Sequence, residues 1–99
     1  MEKIGDIMIN LHGLKPVRSF DKYYMYNVIR KNIIKFRKDY GLTQEALAYG
    51  IGYSEYYIQE IESPTKKKTF SLVVVFKTSI FLQIPIEDFF SLEELSEEE

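Results

Sequence analysis

The chain has 99 residues, 45% of them apolar and 15% aromatic, enough to fill the core of one small domain and too few for a second. It holds no cysteine, which excludes disulfides, thiolate metal sites and thiol nucleophiles together. The formal charge of -2 hides a segregation: residues 1–86 hold all 13 bases against 8 acids, and seven acids follow, so a net basic body carries an acidic tail.

Residues 1–16 include Glu2 and Asp6 and lack a continuous apolar run before a small-residue cleavage site, so no export signal is expected and a cytoplasmic location is. Ile7, Ile9 and Leu11 alternate with Met8, Asn10 and His12, which predicts a short strand or arm. Residues 1–21 are therefore read as an N-terminal extension and a candidate dimerisation arm. His12 is the chain's one histidine, with no acid pair at metal spacing beside it, so neither metal nor catalytic role is expected.

Ser19 or Asp21 is a suitable cap for a first helix, in which Val28, Ile29, Ile33, Phe36 and Tyr40 recur at helical spacing before Gly41. Thr43 caps a short second helix over 44–49. Gly50 and Gly52 bracket Ile51 and permit the positive φ of a sharp turn. Ser54 then caps a third helix, about 55–62, which Pro64 stops. Within QEALAYGIGYSEYYIQEI (44–61), Leu47, Ile51, Tyr53, Ile58 and Ile61 point to one core, and Ala48 and Gly52 are small where helices cross. The pattern is helix, glycine turn, helix.

Residues 70–82 contain three consecutive valines, Val73 to Val75, which by local propensity favour a strand. Leu72, Val75, Phe76, Ser79 and Ile80 also define a helical face with Ser71 as cap, and a helix is expected. Lys77, Gln83 and Pro85 interrupt the apolar stretch 70–86, so no membrane span is expected. Pro85 suits the first turn of a final short helix ending at Phe90, followed by an acidic tail over 91–99.

Arg37, Gly41, Leu42, Thr43, Gln44, Leu47, Ala48, Gly52, Ser54, Ile58 and Glu62, in that order, resemble the pattern of the phage-repressor or Cro-like (Xre-type) helix-turn-helix family. The resemblance spans about 27–90 and ends in Ile86-Glu87-Asp88-Phe89-Phe90. It implies an all-α, compact five-helix bundle of the lambda-repressor-like type over 22–90. It also implies a sequence-specific DNA-binding regulator, a repressor, with a recognition helix about 54–62 in the major groove of double-stranded DNA.

By position in that family, Gln44 beside Thr43 contacts phosphate at a helix N-terminus. Glu55, Tyr56, Gln59 and Glu60 lie where bases are read, and Ser54, the cap before them, is counted with the DNA-binding residues. Lys66, Lys67 and Lys68 follow in a loop along the backbone. Arg37 is expected to clamp Glu62, a structural role. The departures are Glu55 and Glu60, carboxylates facing phosphates unless one accepts from a cytosine amino group, and Ser63-Pro64 in place of a glycine.

A small domain of this kind buries little DNA surface alone, so a homodimer is expected, through 1–20 or through an apolar edge of Phe89, Phe90, Leu92 and Leu95. The second reading keeps the fold but gives it a small basic protein partner, as an antitoxin or antirepressor, drawn by Glu55, Glu60 and the acidic tail. No nucleophile, base and orienting group come together, so no enzyme is expected, and no cofactor.

Overall fold

A computed structural model describes residues 13–14 and 20–92, all helical or loop among those residues. The strand or arm expected at Ile7, Ile9 and Leu11, the Ser19 cap, His12, Leu95 and the tail over 93–99 lie outside them. Helix α1 (Lys22–Asp39) starts at Asp21, whose carboxylate accepts from the Tyr23 N–H at 3.0 Å. It buries Val28, Ile29, Asn32, Ile33 and Arg37. Gly41, at φ +71°, turns the chain out of α1. Tyr40 stays 54% exposed instead of joining the core, and its hydroxyl donates to the Leu82 carbonyl at 2.6 Å.

Helix α2 (Gln44–Ile51) runs two residues further than the expected 44–49, because Gly50 is helical and only Gly52 of the two glycines takes positive φ, at +80°. The reason for a glycine at 50 is room rather than conformation: a Cβ there would overlap the Phe81 ring. Helix α3 (Glu55–Glu62) and helix α4 (Leu72–Leu82) follow. The valine run is helical, as its burial pattern requires, but Ser71 makes no side-chain cap bond.

The face of α4 is turned from the one expected. Val74, Val75, Thr78, Ser79 and Leu82 are buried, while Leu72, Phe76 and Ile80 are 64, 52 and 59% exposed. Thr78 and Ser79 are tolerated inside because their hydroxyls donate to the Val74 and Ile84 carbonyls, at 2.8 and 2.6 Å.

The last element, Ile86–Phe90, is a 3-10 helix rather than a fifth α-helix. Pro85 opens it, and the Asp88 N–H reaches the Pro85 carbonyl at 3.0 Å, a bond over three residues. Its Phe89 is fully buried and meets Phe36 edge-on at 5.0 Å between ring centres. Phe89 is thus core and no part of an association edge. Asn32, buried in α1, donates to the Phe89 and Ser91 carbonyls at 2.9 and 3.0 Å and ties this element down. One core joins every helix, with Ile33, Leu47, Ile58, Ile61, Val75 and Leu82 all at 2% exposure or less. No described helix is long and apolar enough to cross a membrane.

Candidate nucleic-acid interface

The α2–α3 pair is built by its caps. Thr43 Oγ1 accepts from the Ala46 N–H at 3.0 Å, and Ser54 Oγ from the Tyr57 N–H at 3.1 Å. Between them, the Gly52 and Tyr53 N–H groups both bond the Ala48 carbonyl at 2.9 Å, so α2 stops on a left-handed glycine and α3 begins three residues later. Leu47, Ala48, Ile58 and Ile61 are buried between the helices, which leaves the start of α3 outward.

On that outward side Glu55, Tyr56 and Gln59 are exposed, and Gln59 Nε2 donates to Glu55 Oε2 at 3.4 Å. Glu60 is half-buried and answered: Lys68 Nζ lies 3.1 Å from its Oε1, and the Tyr56 hydroxyl hydrogen-bonds to it. These two partners, Lys68 first, hold the Glu60 carboxyl below the usual carboxylate value, while the Tyr56 phenol is pushed up by its bond to Glu60. The negative charge at 60 is thereby compensated within the fold. Glu55 forms no ion pair among the described residues; it stands in the first turn of α3, where the helix dipole favours it.

A pair of stacked rings with an amine on each outer face adjoins this surface. Tyr53 and Tyr57 stack at 4.8 Å with planes 17° apart, Lys68 caps the Tyr57 face at 5.3 Å, and Lys77 of α4 caps Tyr53 at 5.0 Å. Burial is the first cause of a raised Tyr57 phenol pKa. Sequence reasoning did not single out Lys77 or the stack, since nothing local links a lysine in α4 to the turn before α3.

Lys66 and Lys67 are exposed beyond α3. Lys67, in the left-handed region at φ +52°, reaches over the Tyr23 ring of α1 at 5.6 Å, and Lys22 lies over the same ring at 5.5 Å. Ser63 Oγ accepts from the Thr65 N–H at 3.4 Å, which shapes the loop after Pro64. The three lysines thus differ: Lys68 is engaged with Glu60 and Tyr57, Lys67 is exposed with its amine over the Tyr23 ring, and Lys66 is exposed.

Glu62 closes α3 from within. Arg37 Nε and Nη2 donate to its two carboxylate oxygens at 2.7 and 2.8 Å, with both residues under 10% exposed. Arg37 Nη1 also donates to the Leu42 carbonyl at 2.7 Å. Gln44 Nε2 donates to Glu62 Oε1 at 2.8 Å, so one amide hydrogen of the residue read as a phosphate contact is directed inward. Arg30 Nη1 reaches the Glu62 carbonyl at 3.4 Å and Nη2 bonds Asn27 Oδ1; burial lowers the Arg30 pKa.

This is an all-α domain built on a helix-turn-helix pair. No protein-family model matches the chain, and no curated protein matches it. Among solved structures it is similar to the crystal structure of a hypothetical transcription factor, NHTF, from Neisseria, at 21% identity, TM-score 0.65, covering 86% of this chain and 95% of that one. The two share a fold.

Proposed function

We propose that the chain is a sequence-specific DNA-binding regulator, a repressor of the phage-repressor-like (Xre-type) class, with α3 as recognition helix and a homodimer as the binding form. The observation that carries this reading is the start of α3: a Ser54-capped helix N-terminus with Glu55, Tyr56 and Gln59 exposed together, and the Glu60 charge compensated by Lys68. The shared fold with a hypothetical transcription factor supports it. Gln59 reads a base edge, Glu55 accepts from a cytosine amino group, and Tyr56 packs on sugar or a thymine methyl. Thr43 and Gln44 hold the backbone with the second amide hydrogen of Gln44, and Lys66 and Lys67 neutralise phosphates.

Selection of duplexes from a random pool at two salt concentrations tests the reading. An enriched motif is expected, relaxed at one position by Gln59→Ala. Lys66→Met and Lys67→Met are expected to weaken all sequences alike, each lowering the salt slope by about one. No enriched duplex at either salt overturns it. A second reading, a module that binds a basic protein on the same fold, is favoured by the exposed Glu55 carboxylate; a basic partner captured through Glu55, with no duplex enriched, would establish it.

A further inference from the structure

We propose that the outer face of α4 pairs with the same face of a second copy of the chain, about a two-fold axis at Phe76. Leu72, Val73, Phe76, Ile80 and Phe81 are 64, 54, 52, 59 and 41% exposed along one 11-residue helix. A face of this kind is self-complementary in position. Leu72 and Ile80 stand four residues either side of Phe76, so an antiparallel pairing sets Leu72 against Ile80 of the second copy, twice, and Phe76 against Phe76.

Charge and area point to the same occupant. Lys77 is the one charged residue of α4, and its amine is drawn aside over the Tyr53 ring at 5.0 Å, so no like charges meet at the axis. Hollows flank the face: Gly50, Ile51, Phe81 and the stem of Lys77 line one beside Ile80, and Met25, Ile29 and Phe90 line another beside Leu72. The projecting residue of each copy thus has a hollow at the place where its counterpart arrives. With Phe90, 40% exposed, the apolar surface is on the order of 600 Å², at the upper end of what a monomer leaves in one patch and most of the about 800 Å² per partner that a stable pair buries. The assignment replaces the edge built on Phe89. It rests on the DNA-binding reading for the need of a two-fold partner, and on the α4 face alone for its location.

The test needs no DNA. Sedimentation of the full chain at tens of micromolar is expected to give twice the monomer mass, with Phe76→Glu and Ile80→Glu each raising the dissociation constant about 30-fold or more while helical circular dichroism is unchanged. Because the chain has no cysteine, Phe76→Cys is expected to cross-link to its own copy on mild oxidation, and Tyr56→Cys on α3 is not. A wild-type monomer overturns the proposal and leaves the face to another macromolecule or to the chain's own termini. A dimer that withstands both glutamates, or that cross-links through Tyr56→Cys and not Phe76→Cys, also overturns it and places the contact elsewhere. Duplex selection is read separately: enrichment with a dimer that ignores the glutamates sinks this inference alone, and a glutamate-sensitive dimer without enrichment sinks the DNA reading alone.

Discussion

Arg37→Met removes the cation from a buried pair and leaves the Glu62 carboxylate, 6% exposed, with Gln44 as its remaining side-chain donor. Stripping one partner from such a pair costs about 3–5 kcal/mol, because the other charge stays buried. A domain of this length holds about 5–15 kcal/mol in all, so the variant sits near the edge of folding. At about 4–8 °C per kcal/mol, the melting temperature falls by at least about 12 °C. The companion Arg37→Met/Glu62→Met removes both charges and fills the site with apolar atoms; it is expected to recover most of the loss, less the bonds that Gln44 and the Leu42 carbonyl give up. Urea unfolding followed by circular dichroism measures both. A single variant that costs under about 1 kcal/mol, or a double no more stable than the single, refutes the reasoning.

Three further outcomes follow from particular contacts. Gly50→Ala should destabilise despite the better helix propensity of alanine, by about 1–3 kcal/mol, because its Cβ displaces the Phe81 ring; in a Phe81→Ala background the same substitution should stabilise by up to about 1 kcal/mol, and thermal melts of the four chains decide it. Asn32→Leu takes the donors from the Phe89 and Ser91 carbonyls and is expected to cost about 1–3 kcal/mol in urea unfolding, with the loss of the 3-10 helix signals by NMR. The Glu60 carboxyl, held below its ordinary 4.5 by Lys68 and Tyr56, should titrate below that value by NMR and rise in Lys68→Met. A depressed folded pKa contributes stability above the unfolded value and loses it as pH falls through the folded one, so this contact weakens only in acid.

The caps and the turn were legible because each is a local bargain between a side chain and its own backbone: Thr43, Ser54 and Gly52 all act within a few residues of themselves. The helical state of α4 was legible against its valines, but its direction was not. Period alone fits two faces of 72–82, and the one turned inward carries Thr78 and Ser79, polar residues that count against burial until their hydroxyls are seen to bond the nearby Val74 and Ile84 carbonyls. The 3-10 form of Ile86–Phe90 was not legible, since the contacts that hold this element, Phe36 on Phe89 and Asn32 on the Phe89 and Ser91 carbonyls, come from α1. Within the candidate site, residue types on α3 were readable, but the Lys68–Glu60 pair depends on how the loop after Pro64 folds back, and the Lys77–Tyr53 contact joins α4 to the turn before α3.

Glu62 stands at the negative end of its own helix, where the dipole disfavours a carboxylate by about 0.3–1 kcal/mol, and its donors come from α1 and from the first turn of α2. Helix α3 therefore cannot fray from its C-terminal end without opening a buried ion pair and two neighbouring helices with it. In hydrogen exchange, the amides of Ile61 and Glu62 are expected to open only with the whole domain, while those of the 3-10 helix exchange through smaller excursions. The exposed start of α3 is thus carried on a support that is fixed in time as well as in place. Whatever surface it meets, the adjustment falls to the rotamers of Glu55, Tyr56 and Gln59 and to the partner itself.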